Sequence, residues 1–296
     1  VSTLAADGPA VVALGGGHGL ATSLRAARSY ARRITAVVSV ADDGGSSGRL
    51  RETLGIPAPG DLRRCLGALA QDSAFAAALE HRFNAGDLDG HAFGNLVIAG
   101  LADATGDFVG ALAEAGRLLG AVGDVLPATV EPVALAADLE DGTTVYGQVE
   151  VDHAQPISRL RLVPESPNPP PNVYDAITTA DQIVIGPGSL HTSVLAVVAV
   201  PAIAAALRAA QGQSVFVANL RGVRSTAGWT LAAHLGALAR HDFAPDVVLV
   251  DENSRMAEGD LPVDVRVVRA PIARFDISAH DPVQLAKALA DLVGYN

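Results

Sequence analysis

Four short stretches hold most of the residues that could do chemistry, and each is rich in glycine. They are Gly15-Gly16-Gly17-His18-Gly19, Asp42-Asp43-Gly44-Gly45-Ser46-Ser47-Gly48-Arg49, Gly90-His91-Ala92-Phe93-Gly94-Asn95 and Gly186-Pro187-Gly188-Ser189-Leu190-His191. Glycine lets a backbone approach a phosphate closely, and a helix that follows turns its N–H groups and positive dipole end toward it. Gly15, Gly16, Gly17, His18 and Gly19 therefore suit a phosphate from one side. Gly186, Pro187, Gly188 and Ser189 suit it from another, although Ser189 could equally be a helix cap. In the second stretch Asp42 or Asp43 can accept from a ribose hydroxyl or hold Mg²⁺ beside a phosphate. Gly44, Gly45, Ser46, Ser47 and Arg49 surround that acidic pair. A solvated turn with a Ser or Asp cap would use the same residue types, but it needs far less glycine and acid.

Asp61 and Arg63, in Gly60-Asp61-Leu62-Arg63-Arg64, extend this group, since guanidinium groups there could reach a phosphate. Asn95 and Asn219 can read a base edge or ribose, or merely cap a helix and close a strand. Other chemistries are missing. Leu20 stands where the dinucleotide fingerprint needs its third glycine. There is no HExxH, no P-loop lysine, no nucleophile elbow and no Ser–His–Asp set. One cysteine, Cys65, excludes an intrachain disulfide and multi-cysteine zinc motifs. No catalytic residue can be named, and Asp42 and Asp43 are the candidates for a metal. The residues favour binding over catalysis.

The elements that must position these loops follow from hydrophobic periodicity. A strand at 11–14, a helix at 20–30 and a strand at 34–40 make a βαβ unit, which implies a parallel sheet. Helices are expected near 61–70, 73–83, 94–105 and 108–119. Strands at 133–139 and 144–149 flank Asp141-Gly142, a hairpin turn signal. They define a small antiparallel insertion at about 128–163. The prolines of 164–172 form a rigid linker. Strands at 182–185, 214–218 and 247–250 and helices at 230–240 and 282–292 then restore the βα alternation. The expectation is a doubly wound, mostly parallel, Rossmann-like α/β sheet with a small antiparallel β insertion. It forms a single domain over 11–296, preceded by a flexible segment at 1–10. Ligands of such sheets bind outside the carboxyl ends of the strands, where these glycine loops lie.

Composition sets the outer limits. A chain of 296 residues that is 49% hydrophobic can bury a large core. A net charge of −11 argues against nucleic acid or an anionic membrane as partner. It leaves nucleotide binding open, because backbone amides hold phosphate without net positive charge. The longest apolar run, 194–207, is shorter than the roughly 20 residues of a membrane span and contains Pro201. Residues 1–9 lack the basic flank and apolar stretch of a signal peptide. A cytoplasmic protein without membrane insertion is expected.

Five strings taken together resemble the YvcK-type gluconeogenesis factor family. They are Val12-Ala13-Leu14-Gly15-Gly16-Gly17-His18-Gly19-Leu20, Val40-Ala41-Asp42-Asp43-Gly44-Gly45-Ser46-Ser47-Gly48-Arg49-Leu50-Arg51, Pro59-Gly60-Asp61-Leu62-Arg63, Gly90-His91-Ala92-Phe93-Gly94-Asn95-Leu96 and Gly186-Pro187-Gly188-Ser189-Leu190. The resemblance implies a cytoplasmic bacterial protein that binds UDP-sugars such as UDP-N-acetylglucosamine or UDP-glucose. It further implies a role in cell shape and cell-wall synthesis during growth on gluconeogenic carbon, with no settled catalytic activity. The family is similar to 2-phospho-L-lactate transferase, a GDP- and Mg²⁺-linked enzyme of deazaflavin coenzyme biosynthesis. Two positions and one segment depart from the family pattern. His18 stands where Thr is usual and His191 where Tyr is usual. The segment Arg221-Gly222-Val223-Arg224-Ser225-Thr226-Ala227-Gly228-Trp229 replaces a Pro-Gly-Glu-Thr-Asp-Gly-Tyr string, losing two acids and gaining two arginines.

The leading expectation is a nucleotide-sugar-binding regulatory protein needing no cofactor. Residues 15–19 and 186–189 would hold the diphosphate, while Asp42, Asn95 or Asn219 would read ribose or base. The alternative is a Mg²⁺-dependent transferase acting on a nucleotide diphosphate-linked, phospholactyl-type substrate. A nicotinamide-dependent oxidoreductase is a weaker third reading, although NAD or NADP also carries a diphosphate and could occupy the site. A homodimer is compatible with the sequence, which names no regulatory protein partner.

Overall fold

The computed structural model describes residues 4–154, 156–222 and 224–295, with the Arg224 side chain left out. Residues 1–3 of the expected flexible segment, and Val223 of the divergent segment, lie outside the described residues. The strands are β1 (Ala10–Gly15), β2 (Arg33–Val38), β3 (Asp124–Pro127), β4 (Ala134–Leu139), β5 (Thr144–Tyr146), β6 (Ile157–Val163), β7 (Gln182–Ile185), β8 (Gln213–Val217), β9 (Val247–Asp251) and β10 (Arg266–Ala270). Seven of them form a wholly parallel sheet in the order β10-β9-β8-β7-β1-β2-β3. Strands β1 and β7 are buried at every position, as expected of central strands covered on both faces.

The chain leaves β1 in one direction for β2 and β3. It then returns to β7 on the other side of β1 and proceeds outward to β10. That reversal makes a topological switch point between β1 and β7. The helices are α1 (Gly17–Ala27), α2 (Gly45–Leu54), α3 (Gly60–Leu69), α4 (Ala74–Ala78), α5 (Phe93–Thr105), α6 (Phe108–Leu118), α7 (Gln148–His153), α8 (Pro171–Thr178), α9 (Ala196–Val198), α10 (Pro201–Ala209), α11 (Leu231–Ala239) and α12 (Pro282–Leu292). A π-helical turn, Leu190–Leu195, leads into α9. Helix α1 packs against α3 and α12, and α8 packs against α10. The second sheet is antiparallel, in the order β5-β4-β6.

The doubly wound α/β class with its antiparallel insertion is thus observed, with local differences that have physical reasons. The helix expected at 73–83 shortens to α4. Backbone groups of 81–83 bond across to 91–93 instead, with Phe83 N–H on His91 C=O and Phe93 N–H on His81 C=O. The strand expected to reach 149 ends at Tyr146, because Gly147 takes φ +94° and α7 begins. Helix α8 starts inside the proline-rich 164–172, with Pro171 at its first turn, where a missing N–H costs nothing. Residues 4–9 engage the fold: Leu4 packs on the core and Ala5 N–H donates to Ala31 C=O. Among the described residues no single helix is long and apolar enough to cross a membrane.

Candidate functional site

The sheet order brings together loops that are about 170 residues apart in sequence. Gly15 closes β1 and Gly186 follows β7. Gly186 N–H donates to Leu14 C=O at 3.0 Å, and Ser23 Oγ donates to Gly186 C=O at 2.7 Å. Helix α1 begins at Gly17, so His18 and Gly19 lie in its first turn rather than in a loop. Gly19 permits the closest approach. A Cβ there would lie 2.0 Å from the Pro187 carbonyl oxygen and 2.6 Å from its carbon. Two of the stretches expected to hold phosphate are therefore one structural unit at the switch point. His18 is exposed on its rim.

Asn219, just beyond β8, grips this unit. Its Oδ1 accepts from Gly188 N–H at 3.1 Å and its Nδ2 donates to Gly188 C=O at 2.7 Å. Both ends of the side-chain amide are thus occupied with shaping the 186–188 turn. Ser189 Oγ accepts from Thr192 N–H at 3.4 Å and caps the π-helical turn.

Asp61 supplies what the glycine loop cannot. The cap residue of α1 is Gly16, which has no side chain. The Asp61 carboxylate, at the start of α3, accepts from Gly17 N–H at 2.7 Å and pairs with Arg64 at 2.5 Å. A carboxylate at a helix N-terminus is favoured by the free amides and the dipole. An anion thus already sits at the start of α1. A ligand phosphate that takes the Gly17 N–H must displace Asp61, and Arg64 offers that carboxylate another partner.

The two acids of the second stretch part company. Asp42 Oδ1 accepts from Gly44 N–H at 3.0 Å, and its Oδ2 faces Gly60, beside Asp61. Asp43 turns to the insertion, where its Oδ2 accepts from Gln148 N–H at 2.6 Å and caps α7. The neighbouring acids are therefore Asp42 and Asp61, rather than Asp42 and Asp43. Among the described residues no group of three or more His, Cys, Asp or Glu could hold a metal ion. Two carboxylates suit Mg²⁺ only where ligand phosphate oxygens and water complete its shell.

Burial, and then the charge of Asp61, push the Asp42 carboxyl above its ordinary range, against the pull of Gly44 N–H and the Ser47 hydroxyl. A carboxyl whose folded pKa exceeds its unfolded pKa binds more protons when folded, so stability falls as pH rises through that interval. Asp42→Asn keeps an acceptor for Gly44 N–H and removes the charge. At pH 7 it is expected to raise the unfolding free energy measured by urea titration by about 0.5–2 kcal/mol, and the midpoint with it. The gain should vanish by pH 3. A lowered midpoint at pH 7 would show that the charge stabilises the fold.

The remaining candidates form a neighbouring polar cluster. Ser46, in the first turn of α2, lies 3.0 Å from His91 Nδ1 and accepts from Asn95 Nδ2 at 3.0 Å. Asn95 is buried, and its Oδ1 has no partner among the described residues. Burial, then the charges of Arg49 and Arg82, hold His91 below the usual imidazole range. Gly45 and Arg49 are exposed, and Arg49 Nη2 donates to Asp89 C=O at 2.8 Å. Arg63 is buried and turned to Glu80 and Leu79 C=O. The arginine near the glycine loop is Arg64.

Two features were not legible from the sequence. One is the cap that Asp61 provides to α1, which joins elements 44 residues apart. The other is a cavity of about 720 Å³ at the carboxyl ends of β8, β9 and β10, lined in part by Trp229, Asn253, Arg255 and Met256. The position of strand ends was the available signal, but β10 reads poorly because Arg266 and Arg269 are charged and exposed and none of its residues is fully buried.

Comparison with known proteins agrees with this architecture. Residues 11–275 match the family model described as 2-phospho-L-lactate transferase CofD. A putative gluconeogenesis factor of Mycobacterium leprae is 43% identical over 95% of this chain and 85% of its own length. The gluconeogenesis factor of Bacillus subtilis is 40% identical over 96% of this chain and 98% of its own. A crystal structure of a UPF0052 family member from Bacillus halodurans superposes with a TM-score of 0.89 at 34% identity, covering 96% of this chain and 99% of that one. With its glycine loops joined at the switch point of a parallel sheet, the chain belongs to the CofD family and, within it, to the gluconeogenesis factors.

Proposed function

We propose that the chain binds a UDP-sugar, such as UDP-N-acetylglucosamine or UDP-glucose, and acts as a regulatory protein in the cytoplasm. Its role would lie in cell shape and cell-wall synthesis during growth on gluconeogenic carbon. The observation that carries this reading is the union of the 15–19 and 186–188 turns between β1 and β7, where open α/β sheets take their ligands. The diphosphate lies across these turns. Asp61 gives way to it at Gly17, and Asn219 keeps the Gly188 peptide in place. The names of the relatives, gluconeogenesis factors, support the link to gluconeogenic carbon.

A second reading, a Mg²⁺-linked transferase, draws on Asp42 lying beside Asp61 and on the name of the matched family. Asp42 and Asp61 would hold the ion, which supplies charge neutralisation to phosphate oxygens when bound.

Thermal unfolding against UDP-N-acetylglucosamine, UDP-glucose, GDP, NAD and NADP, each with and without Mg²⁺, separates the readings. A ligand at 100 times its Kd adds about 2.7 kcal/mol. At roughly 2–4 °C per kcal/mol, this is several degrees. A rise selective for UDP-sugars, without turnover and indifferent to Mg²⁺, is expected. A GDP-selective, Mg²⁺-dependent rise would replace it with the transferase, and no rise with any UDP-sugar would defeat it.

A further inference from the structure

The cavity at the carboxyl ends of β8, β9 and β10 is unused by the diphosphate site but adjoins it. Asn219, which grips Gly188, is followed by Leu220, which lines the cavity. Strand β8 neighbours β7. Adjacent strands lie about 4.8 Å apart, so the cavity begins one strand away from the switch point. A ring attached to a diphosphate at the 186–188 turn would have one strand spacing to cross.

The walls suit a flat ring. Trp229, the sole tryptophan, is half-buried, and two buried imidazoles pack on it edge-to-face. His191 lies 5.5 Å from it at 88° and His234 5.6 Å at 77°. Met256 and Leu220 add apolar surface. Two polar residues at the rim are already engaged in building it. Arg221 Nη2 donates to Ile277 C=O at 2.7 Å, and Asp276 Oδ1 accepts from Ser278 N–H and Oγ. Asn253 and Arg255 line the same space with exposed side chains.

We propose that this cavity receives the pyrimidine ring of the nucleotide sugar, stacked on Trp229, with Asn253 and Arg255 on the ring edge. The proposal rests on the nucleotide-sugar reading above. Uracil presents an acceptor–donor–acceptor edge, which an amide and a guanidinium can satisfy. A sugar ring carries several hydroxyls and needs more acceptors than a wall whose one carboxylate, Asp276, is engaged with Ser278. Aromatic side chains bind nucleobases through their π faces. The sugar then points back across the 15–19 turn toward Asp42.

The test uses the full chain and its single tryptophan as reporter. Uridine, UDP, UDP-N-acetylglucosamine and N-acetylglucosamine 1-phosphate are titrated by fluorescence and by calorimetry. The first three are expected to change Trp229 emission and the last is not. Asn253→Ala and Arg255→Ala, both at exposed positions, are each expected to weaken UDP binding about tenfold, as loss of a hydrogen bond to a charged or polar group does, without lowering the melting temperature. Calorimetric binding of UDP-N-acetylglucosamine with unchanged emission and unchanged affinity in both variants would overturn the proposal. So would emission changes with the sugar phosphate but not with uridine. If uridine changes the emission while UDP-N-acetylglucosamine gives no binding, the cavity assignment stands and the diphosphate reading falls. If neither acts, both fall.

Discussion

Gly19→Ala is expected to lower stability by about 2 kcal/mol and to remove nucleotide-sugar binding with it. The added Cβ would stand 2.0 Å from the Pro187 carbonyl oxygen, 2.6 Å from its carbon and 3.1 Å from Gly188 N. All three are backbone atoms, so no side chain can rotate away and the two turns must separate. Overpacking of this kind costs roughly 1–3 kcal/mol. The clash is severe enough to put the gross cost at or beyond the upper end. Alanine in a helix recovers about 1 kcal/mol relative to glycine, which sets the net figure. Gly17→Ala is the matched control. Its φ is +66° and a Cβ there meets nothing within 4 Å, so only the left-handed backbone cost of about 1–2 kcal/mol applies. Urea unfolding of the two variants, with UDP-sugar titration of each, decides the matter. Wild-type stability in Gly19→Ala would mean that the 15–19 and 186–188 turns do not touch.

The second large effect is on pH dependence. His191 is 1% exposed on the π-helical turn, with Nδ1 lacking a partner among the described residues. Burial, then His234, His241 and Arg240, push its pKa down to about 4. In the unfolded chain it titrates near 6.5. Between those values the unfolded state binds more protons than the folded state, so stability rises with pH across the interval. The contribution is fully present above about pH 6.5 and is lost as pH falls toward 4, amounting to about 3 kcal/mol. His234 and His280 are also held low by burial, and their contributions carry the same sign. Denaturant unfolding from pH 7 to pH 4 should therefore show a steep acid loss. His191→Phe should reduce the slope near pH 5 by about one proton. An unchanged slope in that variant would show that His191 is not the buried neutral group described.

Much of the frame was legible in the sequence because it is local. The apolar run of β1, the glycines that end it and the helix that follows are consecutive in the chain, and their periodicity marks them. The same holds for β7 with its Gly186-Pro187-Gly188 turn, and for the Asp141-Gly142 hairpin between β4 and β5. These features fix a parallel α/β class with ligand loops at strand ends. The edge strands β3 and β10 are not legible in the sequence. β3 is four residues long, and β10 is only partly buried, so neither carries a strong apolar pattern.

Strand order is what the sequence left open, because it depends on contacts between distant segments. Only the placement of β7 beside β1 joins the 15–19 and 186–188 turns and makes Gly19 indispensable to their approach. The roles of the acids were decided in the same way. Asp42 and Asp43 are adjacent in sequence, yet one faces Asp61 and the other caps α7. Asp61 itself caps a helix that begins 44 residues earlier. Residue types and spacing determined which groups could meet a phosphate. The tertiary structure decided which amides are free to do so, because a buried donor or acceptor takes whatever partner the packed elements bring within reach.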